Sequence, residues 1–236
     1  MFKIKIFIGL FYLLVVSSFI FFIFSNYSFQ EISSYDFIKK NRDYFFNMKE
    51  SNLLLLSIIF IILTILWIVA AGIATPAELI AGFLFGKWLG FFLLVLSVSI
   101  GATVLYIIAN FFFKDFIKKN FLSKFQFLEK KFKKAELIYL LIYRFVGGIP
   151  FPISNVLPCL FNVKVSNYFY AILIGIIPRS FIMVSIGNGL EKIINNNSDV
   201  PKISDLITSP DIYLPIIAFF ILFIITIFLN KFFYNN

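Results

Sequence analysis

The chain has 236 residues, of which 61% are hydrophobic and only 14% charged, far below the roughly 25% charged residues of soluble domains. Twenty-one basic residues against 12 acidic ones give a net charge of +9, with no His and a single Cys. These counts exclude a soluble globular domain, a Ser-His-Asp triad, His-ligated zinc, an internal disulfide and a Cys-ligated cluster. No cofactor motif and no enzymatic activity is suggested. The basic excess lies beside apolar runs and so belongs with anionic lipid head groups rather than nucleic acid.

Taken in order, Ile6 to Phe24 is an apolar run behind Lys3 and Lys5 with no small-x-small cleavage pattern, which predicts an uncleaved membrane span. Residues 25–50 are polar and aromatic with balanced charge and read as a surface loop or interfacial helix. Leu53 to Ala74 carries no charge and predicts a second span, ending at Thr75-Pro76-Ala77-Glu78. There Thr75 is placed to cap a helix, Pro76 to open it, and Glu78 to close a capping box on the Thr75 amide. The apolar stretch Leu79 to Phe85 is too short to cross, and after Gly86-Lys87 the uncharged run Trp88 to Phe113 is long enough. A short apolar piece between two spans predicts a re-entrant hairpin at about 75–87.

Residues 114–134 interleave eight lysines with apolar residues; Lys118, Lys119, Lys130, Lys131, Lys133 and Lys134 are among them. The pattern fits a basic interfacial helix whose lysines reach lipid head groups, or a solvated linker obeying the positive-inside bias. Leu137 to Val163 is apolar but contains Arg144, Gly147-Gly148 and the prolines Pro150, Pro152 and Pro158. Each proline removes a backbone donor and disfavours helix just before it, so a straight span is excluded and a second hairpin at about 138–163 is expected. A span over about 168–186 follows, with Pro178-Arg179 inside it, then a polar loop at 188–210 and a last span from Ile212 to Leu229.

The expected fold is therefore an all-α polytopic membrane protein of about four full spans and two hairpins. Residues 1–50 form a first span and loop, 51–190 the core, and 191–236 a polar loop and last span. One full crossing separates the hairpins, so they enter from opposite faces, as in inverted-repeat transporters that bind near the midplane. Lys3 and Lys5 put the N-terminus inside, whereas the eight-lysine segment favours the reverse, and both termini share one side.

Two ionisable groups stand at membrane depth, where charge is costly and needs a partner. Glu78 either closes the capping box or works in a central cavity. Arg144, the sole charge between Glu136 and Lys164, is expected to meet it there, as a phosphate-binding fork or as a static ion pair. Arg179 is expected to snorkel to the interface, with a place in the cavity second. Gly82, Gly86 and Gly90, extended by Gly101, make a small-residue face for close helix packing.

Pro76-Ala77-Glu78, Ala81-Gly82-Phe83-Leu84-Phe85-Gly86 with Gly90, Gly101-Ala102, Tyr143-Arg144-Phe145, Pro150-Phe151-Pro152, Asn155 and Gly175 with Pro178 together resemble the SNARE-associated Golgi protein family, the VTT-domain branch of the DedA superfamily. The resemblance covers roughly residues 60–190. It implies a membrane protein with two facing re-entrant hairpins, linked to lipid scrambling or to recycling of polyprenyl-phosphate carriers in bacteria, with Glu78 and Arg144 at the matching acidic and arginine positions. No second carboxylate stands in the first hairpin, and no second Arg closely follows Arg144. The expected activity is movement of a phosphate-bearing lipid, phospholipid or polyprenyl-phosphate, across a cell membrane, a bacterial inner membrane. The alternatives are an ion-coupled solute transporter or a lipid-binding scaffold, and self-association is left open.

Overall fold

The computed structural model describes residues 35–117, 133–146 and 149–196, with isolated positions between 9 and 25 and between 208 and 224. Apart from those isolated positions the first and last expected spans lie outside the described residues, as do Lys118, Lys119, Lys130, Lys131, Gly147 and Gly148. The chain divides into two compact units, 1–57 and 58–236. In the first, helix α1 (Tyr35–Ser51) takes up the polar segment that composition assigned to a loop or an interfacial helix.

Helix α2 (Leu53–Val69) starts where the Asn52 side chain accepts the Leu55 amide at 2.9 Å, an N-cap bond. It stops short of the expected Ala74, because Ala71 turns left-handed (φ 61°) and the Trp67 indole donates to the Ile73 carbonyl at 2.7 Å. Helix α3 (Ala74–Phe85) then runs to Gly86, whose φ of 76° suits a residue without Cβ, and the Gly86 amide closes on the Gly82 carbonyl. The reversal leads into α4 (Lys87–Ile117). A Cβ at Gly90 would strike the Ala81 carbonyl, so α3 folds back on α4 around Gly86.

Lengths decide what can cross. Twelve residues give α3 about 18 Å, well short of a hydrocarbon core of about 30 Å. The apolar part of α4, Lys87–Phe112, is 26 residues long, enough to cross. Its hydroxyls are spent inside the helix: Ser99 Oγ donates to the Val95 carbonyl and Thr103 Oγ1 to that of Ser99. One face of α4 (Leu94, Val98, Ala102, Leu105, Tyr106) is buried, while Phe92, Leu96, Ile100, Val104 and Ile107 are exposed. With Leu54, Ile58 and Ile62 open on α2 as well, these apolar stripes suit lipid and not water.

The second proline-rich segment is broken into short pieces and is no straight helix. Helix α5 (Glu136–Val146) is followed by the short α6 (Phe151–Val156), with Pro150 at its N-cap and Pro152 in its first turn, and by a 3-10 turn, Leu157–Phe161. Its two ends meet where Glu136 accepts the Lys164 backbone amide (3.3 Å) and the Asn167 amide (2.7 Å). The span expected over 168–186 is broken: α7 (Val165–Gly175) and α8 (Ile177–Asn196) meet at Ile176 with a 46° bend. A proline as the second residue of α8 is tolerated because first-turn amides have no helical acceptor. Residues 188–196 of the expected polar loop belong to α8 instead. Among the described residues one helix is long and apolar enough to cross a membrane, or two when the bent pair counts as one span.

Candidate functional site

The small residues set which helices can touch. A Cβ at Gly82 would overlap the Val184 carbonyl, and one at Gly187 the Leu79 carbonyl, so α3 lies backbone to backbone against α8. Gly101 takes the Ile68 side chain of α2. Gly175, the last residue of α7, receives the stem of Arg144, with a built Cβ only 2.7 Å from Arg144 Cβ. The break at Ile176 is thus flanked by two charged clusters.

On one side is Glu78. It is 1% exposed, and its Oε1 accepts the Ser180 hydroxyl at 2.9 Å. Its Oε2 lies 3.3 Å from Arg179 Nη2 but out of line for a hydrogen bond, so the attraction is ionic. The same Arg179 nitrogen donates to Thr75 Oγ1 at 2.9 Å. The carboxylate therefore sits at the first turn of α8, where the positive helix end adds to the guanidinium.

One expectation fails here. The capping box does not form: the N-cap of α3 is Ile73, with no side-chain bond, and Thr75 and Glu78 are both turned to α8 instead. Arg179, expected chiefly to snorkel to the interface, keeps its side chain 40% exposed and also has a partner. It is the cation paired with Glu78, because close packing of α3 on α8 puts the first turn of α8 within reach.

On the other side is Arg144, half-buried near the end of α5. Its Nη1 donates to Ser154 Oγ at 2.7 Å and its Nη2 to the Tyr168 hydroxyl at 3.0 Å. Its expected meeting with Glu78 does not occur; among the described residues its polar partners are neutral hydroxyls. The hydroxyl of Tyr168, fully buried, donates a hydrogen bond to Asn155, whose backbone oxygen lies at 3.1 Å and side-chain oxygen at 3.3 Å. Its ring stacks on Tyr106 at 4.3 Å between centroids, and the Tyr106 hydroxyl donates to the Val163 carbonyl at 2.6 Å. Asn155 is likewise fully buried, and its Nδ2 has no hydrogen-bond partner among the described residues. Arg144 and Asn155 were legible in the sequence, the first as a charge at membrane depth. Ser154, Tyr168 and Ser180 were not, being ordinary residues whose role comes only from their neighbours.

Comparison with known proteins covers this same region. Residues 73–189 match the VTT domain family, from the N-cap of α3 to just past Asn188. Two curated relatives are each described as a transmembrane protein 41 homolog. That of Dictyostelium discoideum is 26% identical over 132 residues, 55% of this chain and 39% of the relative. That of Caenorhabditis elegans is 24% identical over 118 residues, 49% of this chain and 48% of the relative. The chain thus spans less than half the length of either relative. No solved structure matches. Both relatives are eukaryotic, and the membrane location they support is coarser than the bacterial inner membrane expected above.

Proposed function

We propose, from the premise that the chain belongs to the VTT-domain family of membrane proteins, that it is a non-enzymatic transporter or scramblase moving a phosphate-bearing lipid across the bilayer, its tails staying in hydrocarbon. The observation that carries this reading is a charge without a counter-ion among the described residues. Arg144 is oriented by two neutral hydroxyls, while the two buried carboxylates described are held elsewhere, Glu78 by Arg179 and Ser180 and Glu136 by the Lys164 amide and Asn167. A cation at membrane depth needs an anion or water, and a guanidinium is a fork that fits two phosphate oxygens. Asn155 Nδ2, which has no hydrogen-bond partner among the described residues, is a second donor on a side chain linked to Arg144 through the Tyr168 hydroxyl.

In this reading the two hairpins dip into the bilayer from opposite faces, and the break at Ile176 lies between them near the midplane, as in inverted-repeat transporters. Arg144 binds the phosphate, while Arg179 and Glu78 hold α3 to α8 and keep the carboxylate away from the substrate's negative charge. A phospholipid and a polyprenyl-phosphate present the same group to Arg144.

The test is purified protein in liposomes carrying a fluorescent phospholipid, with a membrane-impermeant quencher outside. Wild-type protein is expected to expose inner-leaflet label faster than empty liposomes. Equal rates refute the proposal, and uptake of a solute under a proton or sodium gradient without lipid movement favours the ion-coupled alternative.

A further inference from the structure

Away from the break, α5 and α7 begin side by side, joined by the Glu136 bonds to Lys164 and Asn167. Between them opens a cavity of about 620 Å³, walled by Lys133, Lys134, Lys164, Glu136, Asn162 and Asn167. Three cations face one acid, and that acid is already committed to the α7 amide and to Asn167. The cavity is therefore electropositive, since one carboxylate offsets only one of three lysines. Its depth is fixed by Asn110, in the last turn of the apolar span of α4, whose Nδ2 donates to Asn162 Oδ1 at 3.3 Å. That is the level of lipid head groups. From its mouth the exposed Ile138 and Ile142, one turn apart on α5, lead toward the hydrocarbon.

We infer that this cavity binds the phosphate of an anionic glycerophospholipid, its tails along Ile138 and Ile142, at a site distinct from Arg144. The lysines supply charge at the membrane surface, where each is worth about a fivefold change in affinity. Asn162 and Asn167 supply directional contacts. The apolar ridge makes a membrane lipid, rather than a soluble phosphate, the occupant.

The test is native mass spectrometry of the full chain released from detergent, titrated with phosphatidylglycerol, with phosphatidylcholine and with soluble glycerol phosphate. A phosphatidylglycerol adduct is expected that phosphatidylcholine does not match and that excess glycerol phosphate does not displace. K164A and K134A should each weaken it about fivefold, with unchanged thermal unfolding because both side chains are exposed. K192A, which removes the same charge from the last turns of α8 beyond Asn188, should leave it unchanged. The adduct and lipid flux are separate readouts, so failure here is separable from failure of the transport reading. Equal weakening by K192A, or no weakening by K164A and K134A, overturns the site. Displacement by glycerol phosphate overturns the lipid as its occupant.

Discussion

The ion pair between Glu78 and Arg179 makes an asymmetric prediction. The Glu78 side chain is 2% exposed and that of Arg179 is 40% exposed. R179A therefore strands a carboxylate that cannot reach water, a loss of about 3–5 kcal/mol for a broken buried pair. E78Q removes the charge that needs compensation, keeps an oxygen for Ser180, and leaves a guanidinium already open to solvent, so its cost is about 1 kcal/mol. At about 2–4 °C per kcal/mol for a chain of this size, R179A should lower the unfolding temperature in detergent by roughly 6–20 °C, and E78Q by no more than about 4 °C. The double variant E78Q/R179A should be more stable than R179A alone, since the stranded charge is gone. Thermal unfolding followed by size-exclusion chromatography measures all three. If E78Q is as damaging as R179A, or the double variant is worse than R179A, the pair is not what holds Glu78.

Three further outcomes are expected. G82A drives a Cβ into the Val184 carbonyl, a backbone atom that cannot rotate away, and should destabilise by about 1–3 kcal/mol, seen as a lower unfolding temperature. Y168F removes the hydroxyl that orients Arg144 and donates to Asn155; it should cost about 1–3 kcal/mol and slow lipid flux, whereas an unchanged flux would detach Tyr168 from the site. Cys159, 1% exposed within the 3-10 turn, should resist a maleimide in the native protein and react after denaturation, and rapid native labelling would contradict the packing of that turn.

Much of the architecture could be read from residues whose chemistry is local. Gly86 and Lys87 mark the reversal between α3 and α4, and Pro150, Pro152 and Pro158 forbid a straight helix after Arg144. Glu78 and Arg144 stand out because charge is costly at membrane depth. Which charges pair was not legible, because the choice is made by packing: Gly82 and Gly187 bring α3 onto α8, while Gly175 seats Arg144 on α7. Thr75-Pro76-Ala77-Glu78 satisfies the pattern of a capping box, yet its hydroxyl and carboxylate bond to Arg179 and Ser180 over a hundred residues away. Pro178 carried a signal of the break at Ile176, since a proline fits the first turn of a new helix better than the middle of a span. The apolar continuity from 168 to 186 concealed it.

The most direct test replaces the fork by a point charge. Flux of a fluorescent phospholipid is compared in liposomes holding wild-type protein, R144K and R144A at equal, verified reconstitution. Two bonds now split between Ser154 and Tyr168 cannot both be kept in the same plane by a lysine. The expected result is a fall of about tenfold or more for R144K, as for loss of one charge-assisted bond, with R144A at the rate of empty liposomes. Wild-type flux in R144K and R144A alike would contradict phosphate recognition by Arg144.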